Sequence, residues 1–515
     1  MVCAHALRVQ DRKVADAYVK KAEKAILRHF EVQSLPMLQA LFLWVLFESW
    51  TSRWVWHSYS HRCINLVQSL QLLVDPDDLG GSMAFTAEEA NERRMIAWCI
   101  YAYLKFFLVT LPLPHFGQKM ILSSAKLKFG KAASFWPLHS VNRASIEAVN
   151  PKLARHETSN SGSCICLVAE VLDIIMRIKH THKTPPATAH DIIVNPFHTH
   201  AKMDLARILM HPSASQRILT NPATLQEDLT AQFLSEPLKT ATFPLTILLT
   251  AYHNASTCLL ERSRVQLSSH LSLTSSLLVH GTRHASQTQS GAENIASLLS
   301  SLHAAYTAAR CVAGTCVWLT SGNGVYEDLG GQRDMREQMM VEHWHIAFAF
   351  VEAAMTLWLL TCRTRKYWWA TAQEDEGVLR MTLEERREIR REVVVISKWI
   401  RETQMMWNKV MGPIADCVWE MALEMEQVED GMKETGFEVD AAALYGRVNP
   451  DAELAGVLEG FRTLRVRDDP INSPVMTEPW AFSPLMGELI GGTLTFDSEN
   501  EGAWRAFYTS VENEK

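Results

Sequence analysis

The sequence predicts an all-α protein, and three observations support this fold class. Apolar residues recur at the three- and four-residue spacing of amphipathic helices over most of the chain. Prolines, glycines and capping residues interrupt this periodicity where single helices would begin and end. Few segments alternate strictly between apolar and polar residues, so we expect little or no β-sheet.

Three helices are predicted in the first part of the chain. Residues 11–31 form a charged amphipathic segment, and residues 52–73 form a second periodic segment. Residues 37–50 between them are apolar on nearly all sides, so this helix should be buried. Ser34 is placed to cap its first turn, where Pro36 is well tolerated.

A turn and a fourth helix follow. The stretch Asp75–Gly81 is rich in aspartate, proline and glycine, which end the periodicity of the third helix. Thr86 and Glu89 have the spacing of a capping box and should begin the fourth helix. Pro112 and Pro114 end it, because proline cannot continue a helix.

The same patterns organise the rest of the chain. Further helices are predicted at residues 164–178, 202–210, 221–233, 239–265, 292–320, 334–364, 382–411 and 413–436. We divide the chain into an N-terminal helical part (1–138), a variable loop-rich segment (139–201), helices (202–267), a polar linker (268–291), a long-helix region (292–446) and an acidic–aromatic, largely irregular tail (447–515).

Composition and charge narrow the functional classes. The 515 residues are 47% hydrophobic and 21% charged, which is ordinary for a globular protein. The net charge is −7, whereas a domain that depends on phosphate contacts is normally basic, so no nucleic-acid surface is evident. The ten cysteines are scattered, mostly in apolar helical segments, which is typical of the reducing cytosol or nucleus.

No membrane span is predicted. Three apolar stretches approach the necessary length: residues 95–114, 243–260 and 344–362. Each is interrupted, by Lys105, by Pro244 and His253, and by Glu352 respectively. Because a charge at the bilayer centre costs about 2.5–3.5 kcal/mol, we interpret these stretches as buried helices of an all-α core.

No metal site is predicted. Zinc clusters and zinc fingers need closely paired cysteines, and the spacings of Cys164/Cys166 and Cys311/Cys316 do not fit. Five histidines lie near one another in the sequence: His180, His182, His190, His198 and His200. They could chelate a metal, but a polar loop with surface histidines is the favoured interpretation, because no cysteine or carboxylate recurs in register with them.

Catalytic and cofactor motifs are not found in the sequence. It has no G-x-S-x-G elbow, no P-loop, no G-x-G-x-x-G after a strand and no H-E-x-x-H. Asp75, Asp77 and Asp78 are out of register for a calcium loop and are interpreted as a turn. The charged run 384–392 alternates in sign, which is typical of a solvated, salt-bridged helix face. We therefore predict no catalytic, cofactor-binding or metal-binding residue.

Two short motifs and one helix carry a family resemblance. Residues 34–41 read S-L-P-M-L-Q-A-L, and Ser69-Leu70-Gln71-Leu72 follows at the end of the third helix. The fourth helix then carries four signature residues: Arg93, Arg94, Trp98 and Lys105. Over residues 1–138 this order resembles the central regulatory domain of fungal zinc-finger transcription factors, in which a Leu-Gly-Leu type element ends the corresponding helix.

The sequence departs from the family pattern within the fourth helix. Asn91 stands where an acid is usual, and Met95 replaces a third basic residue. Leu104 replaces an aspartate, and Lys105 replaces the family's arginine. We therefore expect the ion pairing inside this domain to differ from that of its relatives.

The resemblance implies an all-α regulatory module that is not an enzyme, a nuclear location and control of genes transcribed by RNA polymerase II. Arg93, Arg94, Trp98 and Lys105 are expected to be structural. In relatives a separate zinc-finger domain binds zinc and DNA, and no residues here match it. We therefore expect either a finger encoded upstream or a finger-less regulator that reaches DNA through a partner.

Partners and alternatives complete the expectations. Transcription cofactors or a DNA-binding protein are the expected partners, with a small-molecule effector and a homodimer as further candidates and no membrane. The acidic and aromatic residues of 470–515 suit an activation segment or a loosely docked terminus. Two other classes stay open: a helical enzyme, which would need a D-D-x-x-D type cluster, and a scaffold or membrane-associated protein that uses the apolar helices.

Overall fold

The computed structural model describes residues 12–50, 56–72, 74–79, 85–110, 159–181, 195–235, 243–270, 289–328, 331–363, 381–407 and 411–435. Within these residues the chain is helical except for one two-stranded antiparallel hairpin and short turns. The predicted all-α class is confirmed. The predicted tail (447–515) lies outside the described residues, as do residues 271–288 of the predicted linker (268–291), whose remaining residues belong to helices.

The chain divides into two compact units. Unit one holds the first three helices, the fourth helix as far as Lys105, and the fifth helix as far as Ala169. Unit two holds the described elements from Glu170 to Thr403 and the last helix. The six-part division drawn from the sequence stays a prediction.

Unit one contains all four helices predicted for the N-terminal part. They are α1 (Arg12–Arg28), α2 (Leu35–Trp50), α3 (Trp56–Ser69) and α4 (Ala87–Thr110), followed by the first part of α5 (Ser159–Thr181). A 3-10 turn, Pro76–Asp78, lies between α3 and α4.

The α2 helix is the apolar centre of unit one, as its composition predicts. Leu38 and Trp44 are almost fully buried, and the ring of Trp44 lies 4.0 Å from that of Tyr59 on α3, between centroids. The backbone N–H of Met37 donates to Ser34 Oγ at 3.3 Å. The predicted cap is confirmed, and it supplies one of the partners that the first turn of a helix lacks.

The capping box predicted for α4 is also confirmed. The backbone N–H of Thr86 donates to Glu89 Oε2 at 2.9 Å, and that of Glu89 donates to Thr86 Oγ1 at 3.2 Å. Both side chains are exposed, so the capping box forms at a solvent-accessible position. It fixes the residue at which the helix begins. The helix ends at Thr110, just before the prolines expected to stop it.

Unit two contains the rest of α5 and most of the later elements. In order these are α6 (Pro196–Met210), α7 (Pro212–Ser215), α8 (Leu225–Ser235), α9 (Phe243–His270), α10 (Gln289–Thr320), β1 (Val325–Asp328), β2 (Gly331–Asp334), α11 (Met335–Glu342), α12 (Ala347–Trp358), α13 (Leu383–Trp407, as far as Thr403) and α14 (Met411–Thr435). The helices α9, α10 and α12 pack against one another at its centre, and every residue of α12 is buried.

The single helix predicted over 334–364 is wrong. This stretch begins as the end of β2, continues as α11, and passes through a 3-10 turn, Trp344–Ile346, into α12. A π-helical turn, Leu359–Arg363, follows α12. Apolar residues keep a helical spacing through all these pieces, so periodicity alone could not show where the helix is broken.

Two local contacts fix where α11 begins. Asp334 caps α11 by accepting a hydrogen bond from the backbone N–H of Arg336 at 2.9 Å. The backbone N–H of Met335 donates to the carbonyl of Gly324 at 2.9 Å. A Cβ on Gly324 would lie 2.8 Å from that of Met335, so this close approach requires glycine.

One ion pair lies inside the helical centre of unit two. Arg262 Nη2 on α9 is 2.6 Å from Glu352 Oε2 on α12, and the two side chains are 3% and 0% exposed. The charge that interrupts the apolar stretch 344–362 is therefore paired in the protein core. No helix in the described part of the chain is long and apolar enough to span a membrane.

Glu352→Ala should destabilise the protein by about 3–5 kcal/mol, because it removes the carboxylate that faces a buried guanidinium. The free energy of unfolding, measured by urea denaturation, tests this. The double variant Arg262→Met, Glu352→Leu removes both charges and fills the space, so it should lose much less stability. Equal losses in the two proteins would contradict the assignment.

Candidate functional site: the ion-paired start of the signature helix

The four signature residues lie on α4, and Arg94 points back toward the turn that precedes this helix. Its Nε and Nη2 atoms donate to Oδ2 and Oδ1 of Asp75 at 3.0 and 2.7 Å. Nη2 also lies 2.9 Å from Asp77 Oδ1. One planar guanidinium thus holds two carboxylates, with the two-pronged geometry that only arginine provides.

Asp75 is the buried centre of this cluster. Its side chain is 4% exposed, and its Oδ1 also accepts a hydrogen bond from the backbone N–H of Asp77 at 3.0 Å, which caps the 3-10 turn. Hydrogen bonds to Asp75 raise the pKa of Arg94 above its ordinary value, against the opposing effect of burial. Arg94 therefore stays protonated beside Asp75.

Arg93 closes the end of α3. Its Nη2 donates to the carbonyl of Leu70, and its guanidinium carbon lies 4.5 Å from the ring centroid of Phe85. The last carbonyls of a helix have no partner within it, and a cation there also complements the helix dipole. Burial lowers the pKa of Arg93 from its ordinary value, and the carbonyl and ring replace part of its lost hydration.

The chain leaves α3 through a Schellman motif. The backbone N–H of Leu72 donates to Val67 O and that of Gln71 to Gln68 O, both at 3.0 Å. Gln71 takes a φ of 53°, the left-handed conformation that glycine adopts without strain. It belongs to the element that resembles the family's Leu-Gly-Leu, so a glutamine here occupies a conformation suited to glycine.

The other signature residues lie apart from this cluster. Trp98 is buried against Ala102 and Ala169, and its ring centroid lies 5.8 Å from that of Tyr101, edge to face. Lys105 lies within α4, and its side chain is outside the described residues. The structure thus brings Arg93 and Arg94 together beside the end of α3 and gives Trp98 a separate place in the core.

These contacts form a clamp, by which we mean Arg93, Arg94, Asp75, Asp77 and the Leu70 carbonyl. Its cations face carboxylates, a carbonyl and a ring, and the Asp75 carboxylate is occupied by the guanidinium of Arg94. In the described part of the chain, no group of three or more His, Cys, Asp or Glu side chains is arranged to hold a metal ion. The arrangement suits the joining of α3, the turn and α4.

The segment that contains the clamp matches the model of a known protein family. Residues 4–113 match the family model of the fungal specific transcription factor domain. The match confirms the resemblance found in the sequence and contains every residue of the clamp. Comparisons with curated proteins and with solved structures gave no match.

The sequence did not predict Asp75 as the partner of Arg94. The two residues are 19 positions apart, and Asp75 was explained by its turn alone. The turn is present, but the same carboxylate also pairs with the helix. The arginine signature together with an aspartate in the preceding turn was the available signal.

In unit two, the prediction of surface histidines is wrong for His198. This side chain is buried, and its Nε2 lies 2.8 Å from Glu261 Oε2. The helix α6 begins earlier than predicted, at Pro196 with Asn195 as its cap, and turns His198 toward α9. His200 is exposed as predicted, and the other three side chains of the group lie outside the described residues.

Glu261 is the centre of a second buried ion cluster. It also lies 3.2 Å from Lys202 Nζ. Burial acts to raise the pKa of Glu261, but hydrogen bonds from His198 and Ser301 and the charges of His198 and Lys202 lower it to about 2. This carboxylate is therefore ionised at neutral pH and serves to attach α6 to α9.

The charged run of α13 is only partly a solvated face. Arg387 and Arg391 lie 3.5 and 3.4 Å from Glu384 on the same helix, as predicted. Arg390 instead lies 3.0 Å from buried Glu429 on α14, and other glutamates of the run pair with α10. Periodicity places these residues on a helix face but does not tell whether water or another helix covers it.

Gln71→Gly should stabilise the protein by about 0.5–1 kcal/mol. Glycine relieves the left-handed strain, and its greater freedom in the unfolded chain offsets part of that gain. The urea midpoint should rise. Gln68→Gly, at an exposed position with ordinary helical geometry in α3, should instead cost about 1 kcal/mol. A loss of stability in both variants would contradict the strain at Gln71.

Arg94→Ala should destabilise the protein by about 3 kcal/mol, because Asp75 stays buried and loses both bonds of the fork. Arg94→Lys should recover only part of this, since an ammonium cannot make the two parallel bonds. Chemical denaturation gives the comparison. Lys24→Ala, exposed on α1, is the control and should change stability by less than about 0.5 kcal/mol; a similar value for Arg94→Ala would argue against the clamp.

Proposed function

We propose that this protein regulates transcription by RNA polymerase II in the nucleus. The observation that carries the proposal is the match of residues 4–113 to the fungal specific transcription factor domain. The clamp supports it, because Arg93 and Arg94 of the signature join the helices of that segment through interior contacts. The signature therefore marks a folded regulatory module.

In this proposal the protein acts by binding other molecules. The matched family is not enzymatic, and the clamp offers no reacting group. The proposed partners are transcription cofactors or a DNA-binding protein, and a small-molecule effector and a second copy of the chain are the proposed regulators. A signature that faces inward leaves the outer helix faces for such partners.

DNA is contacted, in this proposal, through a partner or through a zinc-finger segment that is not among these 515 residues. Of the seven cysteines whose side chains the structure describes, six are buried, and burial raises the pKa of the Cys99 and Cys311 thiols to about 12. A zinc ligand must be a thiolate, so these cysteines are poor candidates. The net charge of −7 also argues against direct phosphate binding.

A tethered reporter tests the proposal. The whole chain is fused to an unrelated DNA-binding domain in a fungal host, upstream of a reporter with intermediate basal output. We expect the fusion to raise or lower that output relative to the DNA-binding domain alone. Removing residues 470–515 should abolish a rise if the acidic–aromatic tail is an activation segment.

Matched variants connect the reporter effect to the folded domain. Arg94→Ala, which weakens the clamp, should reduce the effect, and Lys24→Ala should leave it unchanged. Immunoblotting and microscopy establish that each fusion is intact and nuclear. An intact nuclear fusion that behaves as the DNA-binding domain alone would overturn the proposal.

A further inference from the structure

A separate group of charges joins α10 to α13 in unit two. Arg310 on α10 places its Nε 3.0 Å from Glu392 Oε2 and its Nη2 3.2 Å from Glu388 Oε1, both on α13. Its Nη1 donates to Tyr306 Oη at 3.1 Å. The side chains of Arg310 and Glu392 are 13% and 12% exposed. We call these four residues the Arg310 cluster.

Carboxylates outnumber cations in the Arg310 cluster. One guanidinium serves both Glu388 and Glu392, so neither carboxylate has a full positive charge to itself. Glu385 brings further negative charge to the Tyr306 side of the cluster. Burial and the negative charge of Glu392 raise the pKa of the thiols Cys311 and Cys316 on α10, so both thiols are neutral.

Other cations near this part of the fold have their own carboxylates. Arg336 on α11 is close enough to act on Cys316, and it pairs with Glu402. Arg390 on α13 pairs with Glu426 and Glu429. Arg310 is therefore the cation on which the charge of Glu392 depends.

Burial raises the pKa of Glu392 to about 7; Arg310 opposes this rise, and Glu388 adds to it. The ordinary value of 4.5 applies in the unfolded chain. The folded protein thus binds a proton that the unfolded chain does not bind between these two values. The resulting stabilisation is fully present below about pH 4.5 and is lost as the pH rises through about 7.

We propose that the Arg310 cluster is a proton-sensitive tether that holds α13 to α10 more firmly as the pH falls through the neutral range. A protonated Glu392 needs no counter-charge, so Arg310 then serves Glu388 alone. At higher pH both carboxylates are charged and repel each other beside one cation. The tether does not depend on whether the chain regulates transcription.

Hydrogen–deuterium exchange of the full chain tests the tether. Exchange of the α13 amides is followed by mass spectrometry at about pH 6 and about pH 8 and corrected for the intrinsic effect of pH on amide exchange. The opening constant of α13 should be roughly tenfold smaller at the lower pH. An opening constant that does not change between these pH values would overturn the proposal.

Three glutamine variants identify the group that titrates. Glu392→Gln should give an opening constant that no longer depends on pH. Glu388→Gln changes an exposed side chain, so this variant should fold normally. The transition should move to lower pH, because Glu392 then no longer shares the charge of Arg310 with a second carboxylate. Glu384→Gln, exposed on the same helix but paired within α13, is the matched control and should keep the original profile.

The exposed variants decide the outcome even if Glu392→Gln does not fold. A transition that stays in place in Glu388→Gln, or that moves equally in Glu384→Gln, would overturn the proposal. A shift confined to Glu388→Gln supports it, since only that change alters the carboxylates that share Arg310.

Discussion

The helical cores of this protein contain arginines, and a charge taken out of water has to be neutralised by a partner placed beside it. Arg94 meets this requirement in unit one through Asp75, and Arg262 meets it in unit two through Glu352. In each case the carboxylate comes from a different element: the turn before α4 for Arg94, and α12 for Arg262. Because breaking such a pair costs several kcal/mol, each pair disfavours any rotation or slip of its helix that would separate the charges.

The clamp shows how this requirement organises the segment 4–113, which matches the model of the fungal specific transcription factor domain. Arg93 and Arg94 are consecutive, so α4 directs them to different partners: a carbonyl at the end of α3 and a carboxylate in the following turn. The left-handed Gln71 turns the chain between those partners. A change at either arginine would therefore act first on the fold of this segment.

Local features were predicted well and distant pairings were not. Ser34 and the Thr86–Glu89 box were identified because a cap and its helix are neighbours in sequence. The burial of α2 followed from its composition alone. His198 was misjudged because its partner, Glu261, lies 63 residues away. The break between α11 and α12 was missed because the apolar period continues through the 3-10 turn Trp344–Ile346.

The sequence by itself determined the helical class, the start of α4, the family resemblance and the lack of zinc-type cysteine spacing, since each is a pattern of near neighbours. Only the tertiary structure decided that Asp75 serves Arg94 and that Glu388 and Glu392 share Arg310. Periodicity assigns a charged residue to a helix face, but packing decides whether water or another helix covers that face. Burial in turn decides the energetic weight and the pKa of each charge.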